Sequence, residues 1–332
     1  MISVAILGAG FMGGAHAANY KRLEDRVRVK RVVARSLDRA ARVADVVGAV
    51  PSTDLEEAVL DPEIDAVDIC LPSALHRTWT ERALEAGKDV FLEKPIALTA
   101  DDADAVVDAA ARRGAVLVVG LVLRFWPEYV ELQHRVASGE LGRPRAVSTY
   151  RLSPPIDWND WMADREQSGG VPVDLLVHDF DQMNWLLGEP RRVFAREPRP
   201  GHVQTLVEYD DATGLAEGSV AMPRSYPFSS HIRVLCEEGA AEYAFSATAV
   251  EGEGNIGASD SARGLRLTPS DGPSVTIPVE SADPWGPALA YFVECVELAR
   301  QPEQATADQA RRALLVSLAA NRSLESGRLE AV

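Results

Sequence analysis

The chain has 332 residues, more than one ordinary hydrophobic core holds, so we expect two domains. Its 50 acidic and 34 basic residues give a formal net charge of −16, which argues against nucleic acid and against anionic membrane surfaces as partners. With 46% hydrophobic and 25% charged residues, the composition is that of a globular protein and excludes collagen-like or disordered classes.

The cysteines and the N-terminal residues bear on the compartment. Cys70, Cys236 and Cys295 are odd in number and far apart, so the sequence predicts neither a disulfide framework nor a cysteine-based zinc site. The first residues, MISVAILGAG, carry no basic leader, and no apolar run reaches the roughly 20 residues that span a bilayer. We therefore expect a cytoplasmic protein.

The first third of the chain alternates short Val/Ile-rich runs with longer amphipathic stretches, the pattern of βαβ units around a parallel sheet. The predicted strands are SVAILG, VRVKRVVA, AVDICLP, DVFLEKP and AVLVVGL. The predicted helices between them are GGAHAANYKRL, LDRAARVADVV, HRTWTERALEAG and ADDADAVVDAAARRG. This order predicts an α/β domain with a doubly wound sheet.

The segment GAGFMG follows the first predicted strand and opens a helix. Gly8, Gly10 and Gly13 allow a tight turn, close approach of the backbone to a pyrophosphate, and close packing of helix on strand. The helix N-terminus adds N–H donors and a partial positive charge. With Phe11 and Met12, these glycines form a predicted dinucleotide loop, and a glycine turn without a ligand is the alternative.

The end of the second predicted strand bears on the choice of cofactor. The acid that usually holds the adenosine ribose of NAD falls about 20 residues after the glycines, where this chain has Ala34, Arg35 and Ser36. A guanidinium and a hydroxyl would bind a 2′-phosphate by charge-assisted hydrogen bonds. We expect NADP to be preferred and NAD to be possible. The alternative is that Arg35 is solvated or stacks on adenine in a protein that accepts either cofactor.

Glu93, Lys94 and Pro95 come directly after a predicted buried strand. Ligands of a doubly wound sheet bind at the carboxyl ends of the strands, so we expect Lys94 to face the cofactor side. Proline fixes its own φ and restricts the residue before it, which would hold the lysine backbone in one conformation. A solvated surface lysine is the alternative.

After residue 121 the pattern changes to a helix (PEYVELQHRVASGELG), a strand, a Trp-rich stretch and a helix near 172–187. Strands RVFARE, VQTLVEY, LAEGSVAM, HIRVLCE and AEYAFS follow, then helices at about 287–300 and 306–326. Short polar turns such as DDATG predict antiparallel pairing. The segment EGEGNIGASDSARG is predicted to be a mobile loop.

The helix near 172–187 carries a second candidate site. Pro172 suits its first position, which makes Asp174 and His178 i and i+4 neighbours on one face. The acid would orient the imidazole and tune its basicity. An acid/base site, a structural ion pair and a metal site including Asp179 and Asp181 are the three interpretations. No further spaced histidine set completes a metal site, so none is predicted.

Taken together, these segments resemble the Gfo/Idh/MocA family of oxidoreductases, which includes glucose-fructose oxidoreductase, inositol dehydrogenase and dimeric dihydrodiol dehydrogenase. The resemblance covers nearly the whole chain. It rests on AILGAGFMGGAHAANY, CLPSALHRTWTERALEAGKDVFLEKPIALT, GLVLRFWPEY, GELGRPRAV, SGGVPVDLLVHDFDQMNWLLGEP and YFVECVELARQPEQATADQARRALLVSLAANRSLESGR. It implies a Rossmann domain at 1–121. It further implies an α+β domain at 122–332 whose open, mostly antiparallel sheet binds substrate and mediates a homodimer or homotetramer.

The resemblance also implies roles for individual residues. The lysine of its E-K-P segment, here Lys94 after Glu93, lies near the nicotinamide and the substrate hydroxyl, often with a cis peptide before the proline. Its D-x-x-x-H pair maps onto Asp174 and His178. An arginine near the substrate maps onto Arg124 in LRFWP, for which a domain-interface salt bridge is the alternative.

Its P-x-x-x-H segment, beside the nicotinamide, maps onto Pro72 and His76 after Leu71. Ser73 stands where asparagine is common, which removes one cofactor contact. Trp161, with Trp126 and Trp158, is a candidate for the wall of a sugar site, and buried packing is the alternative.

We therefore expect an NAD(P)-dependent oxidoreductase that transfers hydride between the nicotinamide and a hydroxyl or keto carbon of a sugar, cyclitol or related small molecule. His178 would take the hydroxyl proton, Lys94 would stabilise the oxygen, and Asp174 would bind an adjacent hydroxyl or orient His178. Two alternatives stay open: an NAD-dependent glycosidase on the same scaffold, and a non-catalytic dinucleotide-sensing regulator.

Overall fold

The computed structural model describes residues 1–155, 164–247, 264–279, 283 and 285–332. It forms two compact units: Met1–Phe125 with Ala282–Arg311, and Trp126–Ser281 with Arg312–Val332. This grouping assigns Ala282–Arg311 to the first unit, whereas the predicted division has a single boundary at 121/122, which stays a prediction. The predicted mobile loop at 251–264 lies, apart from its last residue, outside the described residues.

The first unit contains a six-stranded parallel sheet with helices between its strands. The strand order is β3-β2-β1-β4-β5-β6, the doubly wound arrangement that the alternating pattern predicts. Its strands are β1 (Ile2–Leu7), β2 (Val27–Val33), β3 (Val50–Ser52), β4 (Ala66–Ile69), β5 (Asp89–Leu92) and β6 (Leu117–Val119). Its helices are α1 (Phe11–Arg22), α2 (Leu37–Val47), α3 (Leu55–Leu60), α4 (His76–Glu85) and α5 (Ala100–Arg113).

Two short elements of this unit, β3 and α3, were not predicted. β3 has three residues and includes Pro51, so it is too short to show an alternating pattern. α3 has six residues and is capped by Asp54, whose side chain accepts a hydrogen bond from the Glu57 N–H. Both are held by their neighbours in space, a source of order that short sequence patterns do not reveal.

The second unit has a nine-stranded sheet in the order β14-β13-β12-β11-β7-β10-β9-β8-β15. Its strands are β7 (Pro144–Leu152), β8 (Arg192–Arg199), β9 (His202–Glu208), β10 (Thr213–Ser219), β11 (Phe228–Cys236), β12 (Gly239–Ala247), β13 (Leu265–Pro269), β14 (Val275–Ile277) and β15 (Glu330–Ala331). Its helices among the described residues include α6 (Pro127–Ala137), α7 (Arg165–Ser168), α8 (Val171–Asp174) and α9 (Val177–Leu187). The sheet is mixed, because β10 runs parallel to β7 while the other described pairs are antiparallel.

The predicted single helix near 172–187 is wrong in one respect, since the chain forms α8 and α9 with an interruption at Leu175–Leu176. The Leu176 N–H bonds to the carbonyl of Val171, five residues back, which widens this turn. Leu176 also lies against β10, where a Cβ on Gly218 would be 2.7 Å from its Cγ. Close packing on the sheet therefore accompanies the break in the helix.

Two helices follow the sheet strands near the end of the chain, α10 (Trp285–Glu297) and α11 (Ala307–Ser326), close to the predicted ranges. α11 contains the point between Arg311 and Arg312 where the two units divide. None of the helices in the described residues combines the length and the apolar composition needed to cross a membrane.

Candidate active site

The carboxyl ends of the central strands of the first unit are aligned. Leu7 on β1 pairs with Ile69 on β4, which pairs with Leu92 on β5. The hydrogen-bond ladder continues by one residue, because the Cys70 N–H donates to the Leu7 carbonyl (2.7 Å) and the Glu93 N–H to the Ile69 carbonyl (3.0 Å). The segments after these strands therefore begin side by side at one edge of the sheet, where a ligand of a parallel sheet binds.

Of the three motif glycines at the turn between β1 and α1, two have no room for a Cβ and one does. Gly8 has φ +112° and lies so close to the Cys70 carbonyl that a Cβ would overlap it. A Cβ on Gly13 would likewise overlap the Gly8 carbonyl oxygen. Gly10 is exposed, and a Cβ there would meet nothing within 4 Å. Packing thus explains Gly8 and Gly13, and Gly10 leaves the space that a pyrophosphate of a dinucleotide would need.

The first turn of α1 suits an anion. Gly10 is its N-cap and supplies no side-chain hydrogen bond, and the first turn contains no acidic residue. Its N–H groups and the helix dipole would favour a phosphate. Phe11 and Met12 are half-buried in this turn, and the Phe11 ring makes an edge contact with Trp285 at 6.0 Å between centroids. These residues fit a bound dinucleotide.

Arg35 and Ser36 lie in the turn between β2 and α2, and both are exposed. Ser36 is the N-cap of α2, yet its hydroxyl makes no capping hydrogen bond to the helix. Asp38, which the sequence interpretation overlooked, is also exposed in the first turn of α2. The turn therefore offers a guanidinium, a hydroxyl and, two residues further on, a carboxylate.

The segment after β4 is tied to the segment after β5 by His76, which is buried. Its Nδ1 lies 2.7 Å from the Pro95 carbonyl oxygen and its Nε2 lies 2.8 Å from that of Leu71. Burial lowers the pKa of His76, although both carbonyls favour its protonated form. Pro72 precedes a short 3₁₀ turn, Ser73–Leu75, that leads into α4. In the structure His76 joins two loops, and its predicted contact with a cofactor stays a prediction.

Glu93 and Lys94 follow β5 as predicted, and the Lys94–Pro95 peptide bond is cis. Lys94 is half-buried and Glu93 is buried, with its Oε2 accepting a hydrogen bond from the Lys94 N–H at 3.1 Å. Behind Glu93 lies a buried ion pair, in which His16 Nδ1 is 2.8 Å from Asp68 Oδ2. The sequence interpretation missed this pair, although Asp68 stands out as the one charged residue in the apolar strand AVDI.

Three side chains of the described residues that could ligate a metal lie close together: His16, Asp68 and Cys70, with atoms within 4.8 Å of one another. The separations are those of hydrogen bonds, because Cys70 Sγ is 3.3 Å from His16 Nδ1 and 3.4 Å from Asp68 Oδ1. Burial raises the pKa of the Cys70 thiol well above its ordinary value, which disfavours the thiolate that a metal needs. We interpret this group as a hydrogen-bonded ion pair with a thiol.

The second candidate pair, Asp174 and His178, belongs to the second unit. Asp174 ends α8 and is buried, and His178 lies in the first turn of α9 and is half-buried. Next to His178, Asp179 forms a buried ion pair with Arg151 of β7, with 2.9 Å between Oδ2 and Nε. This pair fixes the first turn of α9 to the sheet. The metal interpretation uses Asp174, His178, Asp179 and Asp181, and Asp179 is already engaged in this ion pair.

The remaining predicted residues are placed as follows. Arg124 is buried in a 3₁₀ turn, Val122–Arg124, after β6 in the first unit. Trp126 is the N-cap of α6, and its ring makes edge contacts with Tyr129 and Phe245. Trp158 and Trp161 lie outside the described residues.

Comparison with known proteins identifies the family. Residues 2–121 match an oxidoreductase family with an NAD-binding Rossmann fold, and residues 129–242 match the GFO/IDH/MocA C-terminal domain. The chain therefore belongs to the GFO/IDH/MocA family, and the resemblance stated from its motifs is confirmed. Its first domain is a Rossmann fold, and its C-terminal domain carries the mixed sheet described above.

Individual relatives are similar over different shares of their length. The scyllo-inositol 2-dehydrogenase (NAD(+)) of Bacillus subtilis (strain 168) is 29% identical over 253 residues, 72% of each chain. The uncharacterized oxidoreductase YrbE of the same organism is 31% identical over 198 residues, which are 59% of this chain and only 57% of that protein. GenD2 from gentamicin A biosynthesis, solved in complex with NAD, is 25% identical, with a TM-score of 0.83 over 100% of this chain and 96% of its own.

Proposed function

We propose that the protein is an NAD(P)-dependent oxidoreductase that acts on a CH–OH or keto carbon of a sugar, cyclitol or related small molecule. The observation that carries this proposal is the edge of the parallel sheet, where the open Gly10 position and the half-buried Lys94 follow strands that are in register. The proposed dinucleotide site and a candidate proton or hydrogen-bond donor would thus share one edge of one unit.

The cofactor would be held by residues of the first unit. Gly8, Gly10 and Gly13 with the first turn of α1 would bind the pyrophosphate, and the segment after β4 would lie on the nicotinamide side. When bound, the nicotinamide accepts or supplies the hydride. Everything else in the reaction is assigned to side chains of this chain.

The proton chemistry is assigned to one amine and one imidazole. In the oxidising direction we assign to His178 the acceptance of the proton from a substrate hydroxyl, and to Lys94 a hydrogen bond to the same oxygen as negative charge develops on it. Asp174 would bind a neighbouring hydroxyl or orient His178. The anchoring of α9 by Arg151 and Asp179 supports a fixed position for His178 within its unit.

The substrate class is supported by the relatives, among them a scyllo-inositol dehydrogenase. Arg124 and Trp161 remain proposed substrate contacts of this chain. A hydroxylated ring would offer adjacent hydroxyls of the kind that a carboxylate and an imidazole can bind together.

We also propose that NADP is preferred over NAD. Arg35 and Ser36 are both exposed, and the Ser36 hydroxyl makes no capping hydrogen bond to α2. Both side chains could therefore contact a 2′-phosphate. Asp38 in the next turn would oppose this preference by like-charge repulsion, so the balance between Arg35 and Asp38 is the determinant to be measured.

The test is a spectrophotometric screen of sugars, cyclitols and small ketones with NAD and NADP, read at the absorbance of the reduced nicotinamide. Substrate-dependent formation or loss of reduced cofactor is the expected result. Product release from a glycoside with no net change in cofactor would indicate the glycosidase. Dinucleotide binding without any turnover across the screen would contradict an oxidoreductase and favour a sensing regulator.

We further propose that the chain forms a homo-oligomer through the exposed face of the nine-stranded sheet. Leu215 on β10 and Leu235 on β11 are about half exposed, at 51% and 53%, on strands that both pair with β7. A second copy would remove these side chains from water. Light scattering after size-exclusion chromatography should give a dimer or tetramer, and Leu215→Lys with Leu235→Lys should give the monomer.

A further inference from the structure

A row of buried polar groups runs behind the candidate lysine. Asp68 on β4 pairs with His16 of α1, which is buried completely, through Nδ1. The opposite ring nitrogen of His16, Nε2, lies 3.2 Å from Glu93 Oε1. This distance is that of an ion pair, although the two atoms are not aligned for a hydrogen bond. The other oxygen of Glu93 accepts the backbone N–H of Lys94.

The imidazole of His16 faces four other polar groups. Asp68 and Cys70 face it from the end of β4, Glu93 from the end of β5, and Tyr20 lies one turn further along α1 with its hydroxyl buried near Asp68. Burial by itself would lower the pKa of His16, but the charge of Asp68 and its hydrogen bond outweigh burial and raise this pKa well above 6.5. The raised pKa favours the imidazolium form of His16, which lies between the carboxyl groups of Asp68 and Glu93.

Glu93 is confined from a third direction as well. Gly120, the residue after β6, lies so close that an added Cβ would be 3.1 Å from the Glu93 carboxyl carbon and both its oxygens. The ring of Phe91 packs edge-on against the imidazole at 5.3 Å between centroids, which limits the position of His16. These contacts restrict the Glu93 carboxylate, one oxygen of which receives the Lys94 N–H.

We propose that His16 is a positioning residue: it holds Glu93 by charge, and Glu93 in turn holds the main chain from which the Lys94 side chain extends. This inference rests on the proposed function for its catalytic meaning, because Lys94 is the proposed hydrogen-bond donor to substrate. Its structural content, the coupling from His16 through Glu93 to the Lys94 amide, is independent of any substrate.

The first experiment therefore needs no activity. Backbone amide hydrogen exchange of Lys94 is measured by NMR on the full chain without ligand, for the parent protein and for His16→Gln and Gly120→Ala. His16→Gln removes the charge, and Gly120→Ala adds a Cβ 3.1 Å from the Glu93 carboxyl group. Exchange at Lys94 should rise by about tenfold in both variants. The matched control is Tyr20→Phe, which removes a buried hydroxyl on the same helix. In this variant the exchange rate of the Lys94 amide should change less than about twofold.

Unchanged exchange at Lys94 in both folded variants would overturn the proposal. If His16→Gln does not fold, Asp68→Asn replaces it, because this change is nearly isosteric and removes the charge that raises the pKa of His16. In Asp68→Asn the pKa of His16 should fall, because the Asp68 charge no longer opposes burial, and exchange at Lys94 at about pH 7.5 should exceed that of the parent by up to about tenfold. Exchange at Lys94 equal to that of the parent at this pH in folded Asp68→Asn would also count against the proposal.

The second experiment measures turnover with a substrate found in the screen. In His16→Gln, kcat should fall by about tenfold while KM and the cofactor Kd stay within about twofold, since only the reacting group is misplaced. If His16→Gln instead lowers the fraction of active protein by about tenfold while kcat per active molecule is unchanged, His16 has only a structural role. If no compound turns over, the proposed function fails, and the exchange experiment still decides the coupling from His16 to Lys94.

Discussion

Gly13 lies so close to Gly8 that a Cβ on Gly13 would overlap the Gly8 carbonyl oxygen. Gly13→Ala is therefore expected to move α1 away from β1 and to lower the free energy of unfolding by about 1–3 kcal/mol. Gly10→Ala, where a Cβ meets nothing within 4 Å, should leave stability within about 0.5 kcal/mol and weaken dinucleotide binding by about tenfold. Urea unfolding and calorimetric Kd measurements check both. Equal stability losses would contradict the assignment of Gly10 to a ligand.

Removal of the proposed acid/base groups should affect the chemical step. Lys94→Ala and His178→Ala are each expected to lower kcat by about 10²- to 10⁴-fold, with the cofactor Kd within about threefold of the parent. Lys21→Ala, at an exposed lysine of α1, is the control and should retain the parent rate. Steady-state kinetics and fluorescence titration of the cofactor give the two quantities. Parent rates in both active-site variants would refute the assignment.

The cofactor preference should depend on Arg35. Arg35→Asp is expected to weaken NADP binding by about ten- to a hundredfold, because a charge-assisted hydrogen bond is replaced by repulsion of the 2′-phosphate. Binding of NAD should change little. Arg28→Asp makes the same charge change at another exposed position of the first unit and serves as control. If the ratio of the Kd values for NAD and NADP is the same in the parent, Arg35→Asp and Arg28→Asp, the cofactor preference does not depend on Arg35.

The ion pair between Arg151 and Asp179 is buried, with 6% and 3% of the side chains exposed. Arg151→Met should lower the free energy of unfolding by about 3–5 kcal/mol, because it leaves the Asp179 charge buried without its partner. Arg191→Met removes one partner of an exposed pair with Asp210 and should leave the urea midpoint unchanged. Combining Arg151→Met with Asp179→Leu should restore much of the loss. Failure of that double change to recover stability would mean that packing, and not charge, explains the first result.

Stability should fall with rising pH because of His16. The folded state keeps the His16 proton above its ordinary pKa of 6.5, while the unfolded state releases it. The contribution is fully present below pH 6.5 and is lost as the pH rises through the higher folded-state pKa, with a slope of up to about 1.4 kcal/mol per pH unit.

Urea midpoints between pH 6.5 and about 8.5 test this slope, which His16→Gln should abolish. Within this window the other perturbed groups of the same region contribute little. The pKa values of Cys70 and Tyr20 are raised from 9.0 and 10.0, and the pKa of His76 is lowered from 6.5. If the slope persists in His16→Gln, a titrating group other than His16 causes it.

Much of the first unit could be predicted because its signals are local. Apolar runs of four to seven residues alternate with amphipathic helices, and Gly8 and Gly13 stand where the tight turn and the close approach of α1 admit no Cβ. The order of the strands then follows from the handedness of βαβ connections. The position of Lys94 after β5 was available from the same pattern.

Other features depend on residues that are distant in the sequence. The partner of His16 is 52 positions away, and nothing in the helical pattern of α1 indicates that a buried histidine will meet Asp68. The parallel pairing of β7 with β10 and the interruption of the helix at Leu175–Leu176 likewise arise where a strand or a side chain contacts a distant neighbour. Glycine stereochemistry and hydrophobic period therefore determined the Rossmann unit and its loop from sequence alone. The buried charges and the sheet order of the second unit were decided only in the tertiary structure, because desolvation and packing act between groups that the chain brings together by folding.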